Sequence, residues 1–225
     1  MEMGKDKLKR FSQILTFGNV IQPKINFHSD DDDIKGNWST VFNNENPIVL
    51  ELGCGAGEYT LALAKDYPNK NFIGIDIKGA RIWKGAKTAI DEGLNNVRFL
   101  RTKVDFVTKF FGENEVDEIW LTFSDPQPKK PKKRLSSKLF TDRYLEFLKI
   151  NGTIHLKTDS ELLYDFTLEE IKSNNFKLLK NIANVYKESY ENSQELKKTL
   201  FIKTFYEKKW LDLEKTIKYL AFSIH

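Results

Sequence analysis

The chain has 225 residues, 40% of them hydrophobic and 30% charged. That is enough for one domain with a sizeable core and too apolar for a disordered chain. A net charge of +4 is only mildly basic, so any case for a polyanionic partner rests on where the charge clusters. The single cysteine, Cys54, excludes an internal disulfide and a cysteine-based zinc site, and His28, His155 and His225 are too scattered for a metal centre.

Residues 1–46 read as an N-terminal extension that could be mobile. They hold basic residues and an acidic run, Asp30–Asp33, that reads as a solvated loop. Lys5, Lys7, Lys9 and Arg10 lead into a mixed segment rather than an apolar one, so no signal peptide is expected. No apolar run approaches the ~20 residues that span a bilayer. The expectation is a cytoplasmic protein, monomer or homodimer, without membrane contact.

The domain is expected over 47–225. Ile48–Leu52 is an apolar run ending in glycines, the mark of a buried strand. Tyr59–Tyr67 has helical spacing, and Asn71–Ile77 is a second strand. Ala80–Glu92 puts Ile82, Trp83, Ala86, Ala89 and Ile90 on one helical face, with Gly93 ending it. Val97–Leu100 reads as a third strand, Phe106–Phe111 as a short helix and Val116–Phe123 as a fourth strand. Leu139–Leu148 has helical spacing, Gly152–Lys157 is a fifth strand and Leu162–Ile171 a helix. Phe176–Val185 and Thr216–Ile224 read as strands around a helix near Thr204–Leu213. Alternating strands and helices predict an α/β fold with a mainly parallel, doubly wound sheet, and the last two strands predict an antiparallel C-terminal edge.

Ligands of such a sheet bind at the carboxyl ends of its strands, where strand order reverses. Gly53, Gly55 and Gly57 follow the first strand and let backbone approach a ligand closely. The spacing is G-x-G-x-G, entered from an acid, Glu51, rather than the G-x-G-x-x-G that aims a helix at pyrophosphate. S-adenosylmethionine (SAM) carries no phosphate but bears a sulfonium and an ammonium, which an acid suits. Asp76 ends the second strand, where a carboxylate accepts from ribose hydroxyls. Asp105 is expected at the end of the third, within reach of an adenine amino group.

A second run, Ser124-Asp125-Pro126-Gln127-Pro128-Lys129-Lys130, follows the fourth strand. With Glu51–Gly55, Gly74–Ile77, Lys132–Leu135, His155–Asp159 and Thr204–Glu207, it resembles the bacterial tRNA (guanine-N7-)-methyltransferases over most of the chain from Val49 to Leu220. The resemblance implies a Rossmann-like SAM-dependent methyltransferase fold. It further implies transfer of a methyl group to N7 of a variable-loop guanosine, position 46 by tRNA convention. It places Glu51, Asp76, Asp105 and Asp125 against SAM, with Gly53 and Gly55 in the cofactor loop, and gives Asp125 the catalytic position. Lys129, Asp159, Thr204 and Glu207 match the substrate-binding positions. The family usually has Trp where this chain has Gln127, and often Lys where it has Ala56.

The chemistry agrees with the resemblance. Guanine N7 offers a free lone pair, so no catalytic base is needed. The ring gains positive charge, which a nearby carboxylate such as Asp125 stabilises. Lys129–Arg134 holds five basic residues in six, a candidate phosphate contact beside the site. Thr204-x-x-Glu207 also reads as a helix capping box. Two rivals remain at this point. One is an amino-group methyltransferase, because Asp125-Pro126-Gln127-Pro128 resembles the Asp-Pro-Pro-aromatic loop of those enzymes. The other is a non-catalytic RNA-binding module that keeps the glycine loop.

Overall fold

The apolar runs become the strands of one mixed sheet. The computed structural model describes residues 9–190 and 193–225; the basic positions Lys5 and Lys7 lie outside them. The strands are β1 (Val20–Ile21), β2 (Ile48–Leu52), β3 (Asn71–Asp76), β4 (Val97–Arg101), β5 (Val116–Thr122), β6 (Leu148–Thr158), β7 (Lys177–Ile182) and β8 (Lys218–Ser223). Their order is β1-β4-β3-β2-β5-β6-β8-β7. All pairs from β1 to β6 are parallel, and β8 runs antiparallel to both β6 and β7. Strand order reverses beside β2, between its neighbours β3 and β5. The carboxyl ends of β2 and β5 therefore open a crevice at the switch point.

β2 and β3 are buried along their whole length, as expected of central parallel strands covered on both faces. Alternate residues serve two cores. Leu50, Leu52, Ile73, Ile75, Ile119 and Leu121 enter one; Val49, Phe72, Val97, Phe99 and Trp120 enter the other. The covering helices are α1 (Trp38–Phe42), α2 (Glu58–Asp66), α3 (Gly79–Asp91), α4 (Lys138–Tyr144), α5 (Glu161–Ser173), α6 (Gln194–Leu200) and α7 (Phe205–Asp212). α3 buries Ile82, Gly85, Ala86 and Ala89. At Gly85 a methyl group would stand 2.5 Å from the Ala56 carbonyl oxygen. Only glycine lets α3 lie this close to the loop after β2.

The segment before Pro47 is tied into the domain. Residues 9–14 are helical, and the Gln13 side chain accepts from Trp83 Nε1 at 3.0 Å. β1 pairs with β4. Trp38 is fully buried, and its indole nitrogen donates to the Phe110 carbonyl at 2.8 Å.

Element boundaries differ from the sequence expectation at several places, most clearly before β6 and after β4. The helix expected over Leu139–Leu148 ends at Tyr144, and Leu148 instead opens β6 opposite Val116. Glu115 and Val116 both donate backbone N–H to the Phe147 carbonyl, so the chain is already extended where the apolar spacing still looks helical. β4 ends at Arg101, and Asp105 sits in the 3₁₀ turn Val104–Lys109 that follows. At the far edge β7 exposes Lys177 through Asn181 and carries an irregularity between Leu178 and Lys180. No described helix is long and apolar enough to cross a membrane.

Candidate active site

The crevice beside β2 is a cleft of about 1180 Å³. Of the residues singled out from the sequence, Glu51, Gly53, Gly55, Asp76, Asp105, Asp125, Asp159 and Thr204 line it. Lys129 and Glu207 do not. Lys129 is exposed beyond the lining, and Glu207 is fully buried.

The glycine loop borders open space. Gly53 and Gly55 have φ of +79° and +59°, and a Cβ on either would meet nothing within 4 Å. The conformation requires glycine while leaving the backbone bare toward the cleft. Asp76 holds the loop from the next strand: Gly55 N–H donates to its Oδ2 at 3.0 Å and Lys78 N–H to its Oδ1 at 2.7 Å. Each carboxylate oxygen retains a lone pair for a ligand hydroxyl.

Glu51 is almost wholly buried. It accepts from the Thr60 backbone N–H at 2.9 Å and from the hydroxyls of Thr60 and Thr122. Burial nevertheless raises its carboxyl from 4.5 to about 7, against the pull of these donors. Asp105, on its 3₁₀ turn, lies 3.7 Å from the Arg143 guanidinium.

The Ser124–Lys130 run forms a stapled turn. Phe123 and Gln127 adopt positive φ, +49° and +43°. The Asp125 carboxylate accepts from Gln127 N–H at 2.9 Å and from the Gln127 side-chain amide at 2.8 Å. Gln127 thus orients Asp125. Arg134 closes the turn from behind: its Nε donates to the Pro126 carbonyl at 2.8 Å, and its guanidinium lies 4.3 Å over the Phe166 ring. Arg134 is buried and so does not join the solvent-facing basic cluster. That cluster reduces to Lys129, Lys130, Lys132 and Lys133, all exposed.

Asp159 follows β6 and pairs with Lys215 at 2.9 Å, whose ammonium rests 4.0 Å from the Trp210 ring. Thr204 caps α7, its hydroxyl accepting from Glu207 N–H at 3.2 Å. The reciprocal half of the capping box does not form. Glu207 instead accepts from buried Lys157 at 2.7 Å and from the Tyr186 hydroxyl at 2.8 Å. Burial draws the Lys157 ammonium down to about 8, while Glu207 opposes the shift. Sequence reasoning missed Arg134, Lys157 and Lys215. Of these, Lys157 carried a signal: a lysine at the end of an apolar strand is buried only with a partner.

The lining mixes both signs of charge: Glu51 and Asp76 are its buried carboxylates, Asp105, Asp125 and Asp159 are more open, and exposed Lys78, Arg81, Lys84, Lys103, Lys133 and Lys215 join them. Two lysines further along are paired, Lys87 with Asp91 and Lys65 with Glu92, each at 2.7 Å. Among the described residues Lys78, Arg81, Lys84 and Lys103 form no ion pair.

A family model described as putative methyltransferase matches residues 45–220. A Christiangramia forsetii protein named tRNA (guanine-N(7)-)-methyltransferase is 48% identical over 224 residues, covering 98% of both chains. One of the same name from Bacteroides fragilis is 46% identical over 222 residues, covering 98% of this chain and 86% of that one. Among solved structures, the 16S rRNA methyltransferase KamB superposes with a TM-score of 0.61 at 13% identity, covering 87% of this chain and 95% of that one. A SAM-dependent methyltransferase from Aquifex aeolicus gives 0.55 at 14% identity, covering 86% and 90%. The structural likeness establishes the methyltransferase fold. With the near-full-length sequence identity, it means that this chain belongs to the tRNA (guanine-N7-)-methyltransferase family.

Proposed function

We propose that this protein methylates N7 of a variable-loop guanosine, position 46 by convention, in tRNA, with SAM as methyl donor. The observation that carries the reading is the mixed charge of the cleft. Carboxylates in the lining suit a cationic cofactor and a base that gains positive charge, and unpaired cations in the same lining suit a polynucleotide backbone. The residues present fit SAM. Open glycine backbone leaves room for an adenosyl group, and Asp76 retains lone pairs for ribose hydroxyls. Glu51 lies beneath the loop with its charge poorly solvated. When bound, SAM supplies the electrophilic methyl group.

The chain's own residues bind and orient. Asp125, held by Gln127 and backed by the Arg134 clamp, presents a fixed carboxylate where charge develops on the guanine ring. Its position costs no reorganisation during transfer. Asp159 offers acceptors for guanine N1–H and N2–H₂ once the base displaces Lys215. Lys133 and the exposed lysines before it supply phosphate contacts. A tRNA substrate agrees with a cytoplasmic location.

The test is nucleoside analysis of tRNA after incubation with the protein and SAM. The expected product is 7-methylguanosine; methyl groups on an exocyclic amine would instead favour the amino-group reading of the Asp125-Pro126 loop. Asp125→Asn is expected to lower turnover by about 10²-fold or more. Raising the pH is not expected to rescue it, because N7 needs no base.

A further inference from the structure

We infer that Phe205 and Tyr206, on the first turn of α7, form the surface on which the target base stacks. The inference rests on the reading of the cleft as a guanosine site.

The two residues flanking this pair have their side chains committed. The Thr204 hydroxyl caps the helix through Glu207 N–H. Glu207 is sunk beneath α7, bound to Lys157, which also donates to the Ile202 carbonyl at 2.9 Å, and to Tyr186. Phe205 N–H donates to Glu58 Oε2 at 2.6 Å, tying the turn to the start of α2 beside the cofactor loop. Thr204 and Glu207 thus act as positioning residues. They pin the turn at both ends and project what lies between them.

What lies between is apolar, exposed and in the cleft. Phe205 is 65% exposed and Tyr206 44%, and both line the same cleft as Asp125 and Asp159. The rings meet edge to face, with centroids 5.7 Å apart. The other aromatic residues of the lining are less open. Phe140 is buried, and Phe123 and Trp210 are half-buried, each with a lysine ammonium near its ring. Among the described aromatic lining residues, only the α7 pair is exposed.

A nucleobase is the occupant that this setting selects. Carboxylates at Asp125 and Asp159 can hold a base by its edge, but edge contacts alone leave the ring free to tilt. In-line attack by N7 requires the plane to be fixed. The Asp125 turn offers no ring of its own at 127: Gln127 is an amide, and it grips Asp125. The face contact must therefore come from another element, and α7 supplies it. The unpaired cations of the cleft lining match the phosphates that accompany such a base and disfavour a cationic or purely apolar occupant.

The experiment replaces both rings by leucine, Phe205→Leu with Tyr206→Leu, which keeps apolar volume and removes the π faces. Phe205→Tyr and Tyr206→Phe are the ring-preserving controls. SAM affinity by calorimetry is expected to be unchanged in every variant, which also reports that the fold is intact. The leucine pair is expected to lose about 5- to 150-fold in kcat/KM for tRNA, the range for one stacked base, and the controls are expected to stay near wild type. With 2-aminopurine at the target position of the tRNA, fluorescence is expected to be quenched on binding wild type and not on binding the leucine pair. If wild type and the leucine pair methylate and quench alike, the stacking surface is overturned and the substrate assignment stands. If wild type fails to methylate tRNA at all, the assignment falls and the inference with it.

Discussion

Glu51 is a buried carboxyl group at the end of the first central strand, in the lining of the cleft. Burial holds it at about 7 instead of 4.5. The native state therefore keeps a proton that the unfolded chain has released between those values. That contribution to stability is fully present below pH 4.5 and is lost as pH rises through about 7. A cationic ligand at the loop favours the ionised form. SAM binding near neutral pH is expected to release up to one proton, seen as a dependence of calorimetric enthalpy on buffer ionisation heat. Glu51→Gln is expected to abolish that dependence; an unchanged proton count would detach Glu51 from the cofactor site. Arg134 is a second case of a charge with an unexpected task. In sequence it is the last of five basic residues, but it is buried against Pro126 and Phe166. Arg134→Ala leaves the Pro126 carbonyl without its partner, a loss of about 1–3 kcal/mol. Turnover is expected to fall while the salt slope of tRNA binding stays at the wild-type value. Lysine is not expected to restore turnover, because its ammonium lacks the planar group that covers Phe166.

The start of basic α3 lines the cleft. Lys78 just before it and Arg81 and Lys84 on it have no acidic partners, whereas Lys87 one turn on is paired. Replacing the three by glutamine is expected to weaken tRNA binding and to flatten log K against log salt by roughly 0.7–0.9 for each phosphate no longer neutralised. A wild-type slope would make these three irrelevant to the polyanion. Charge of this kind was invisible in the sequence, because Lys78–Lys87 reads as the polar side of an amphipathic helix whichever residues it faces. Elements were legible where one physical signal dominated. The run Ile48–Leu52 followed by glycines left little choice, and α3 announced itself through Ile82, Ala86 and Ala89. α1 and α6 were not seen. Each buries only two residues, Trp38 with Phe42 and Thr199 with Leu200, too few to set up a period. Leu139–Leu148 misled because Phe147 is apolar for the core beside Phe111 and Leu148 for β6, not for a longer helix. In the Thr204–Glu207 motif, the cap was legible and the partner of Glu207 was not, since Lys157 lies fifty residues away and meets it only through the sheet.

The sheet as a unit was the most legible feature, because alternation of strand and helix constrains topology more than it constrains any boundary. The parallel body and the antiparallel edge made by β8 and β7 both stand as expected. What was not legible was that residues before Pro47 complete this sheet. β1 extends it beyond β4, and Trp38 fills the core beneath Phe110, although no periodicity marks either. The two ends of the sheet are closed differently. β1 is only two residues long, which offers a neighbour almost nothing to pair with. β7 is longer, but Lys177 and Lys180 point into solvent on either side of its irregularity. An incoming strand would have to bring charges together and follow a backbone that is out of step, so growth of the sheet between molecules is disfavoured at both ends. Lys177→Thr with Lys180→Val is expected to raise light scattering on heating without altering SAM affinity. The lysines of β7 lie at the far edge of the sheet from the switch-point cleft, where like charge along an exposed edge keeps concentrated protein from pairing strand to strand.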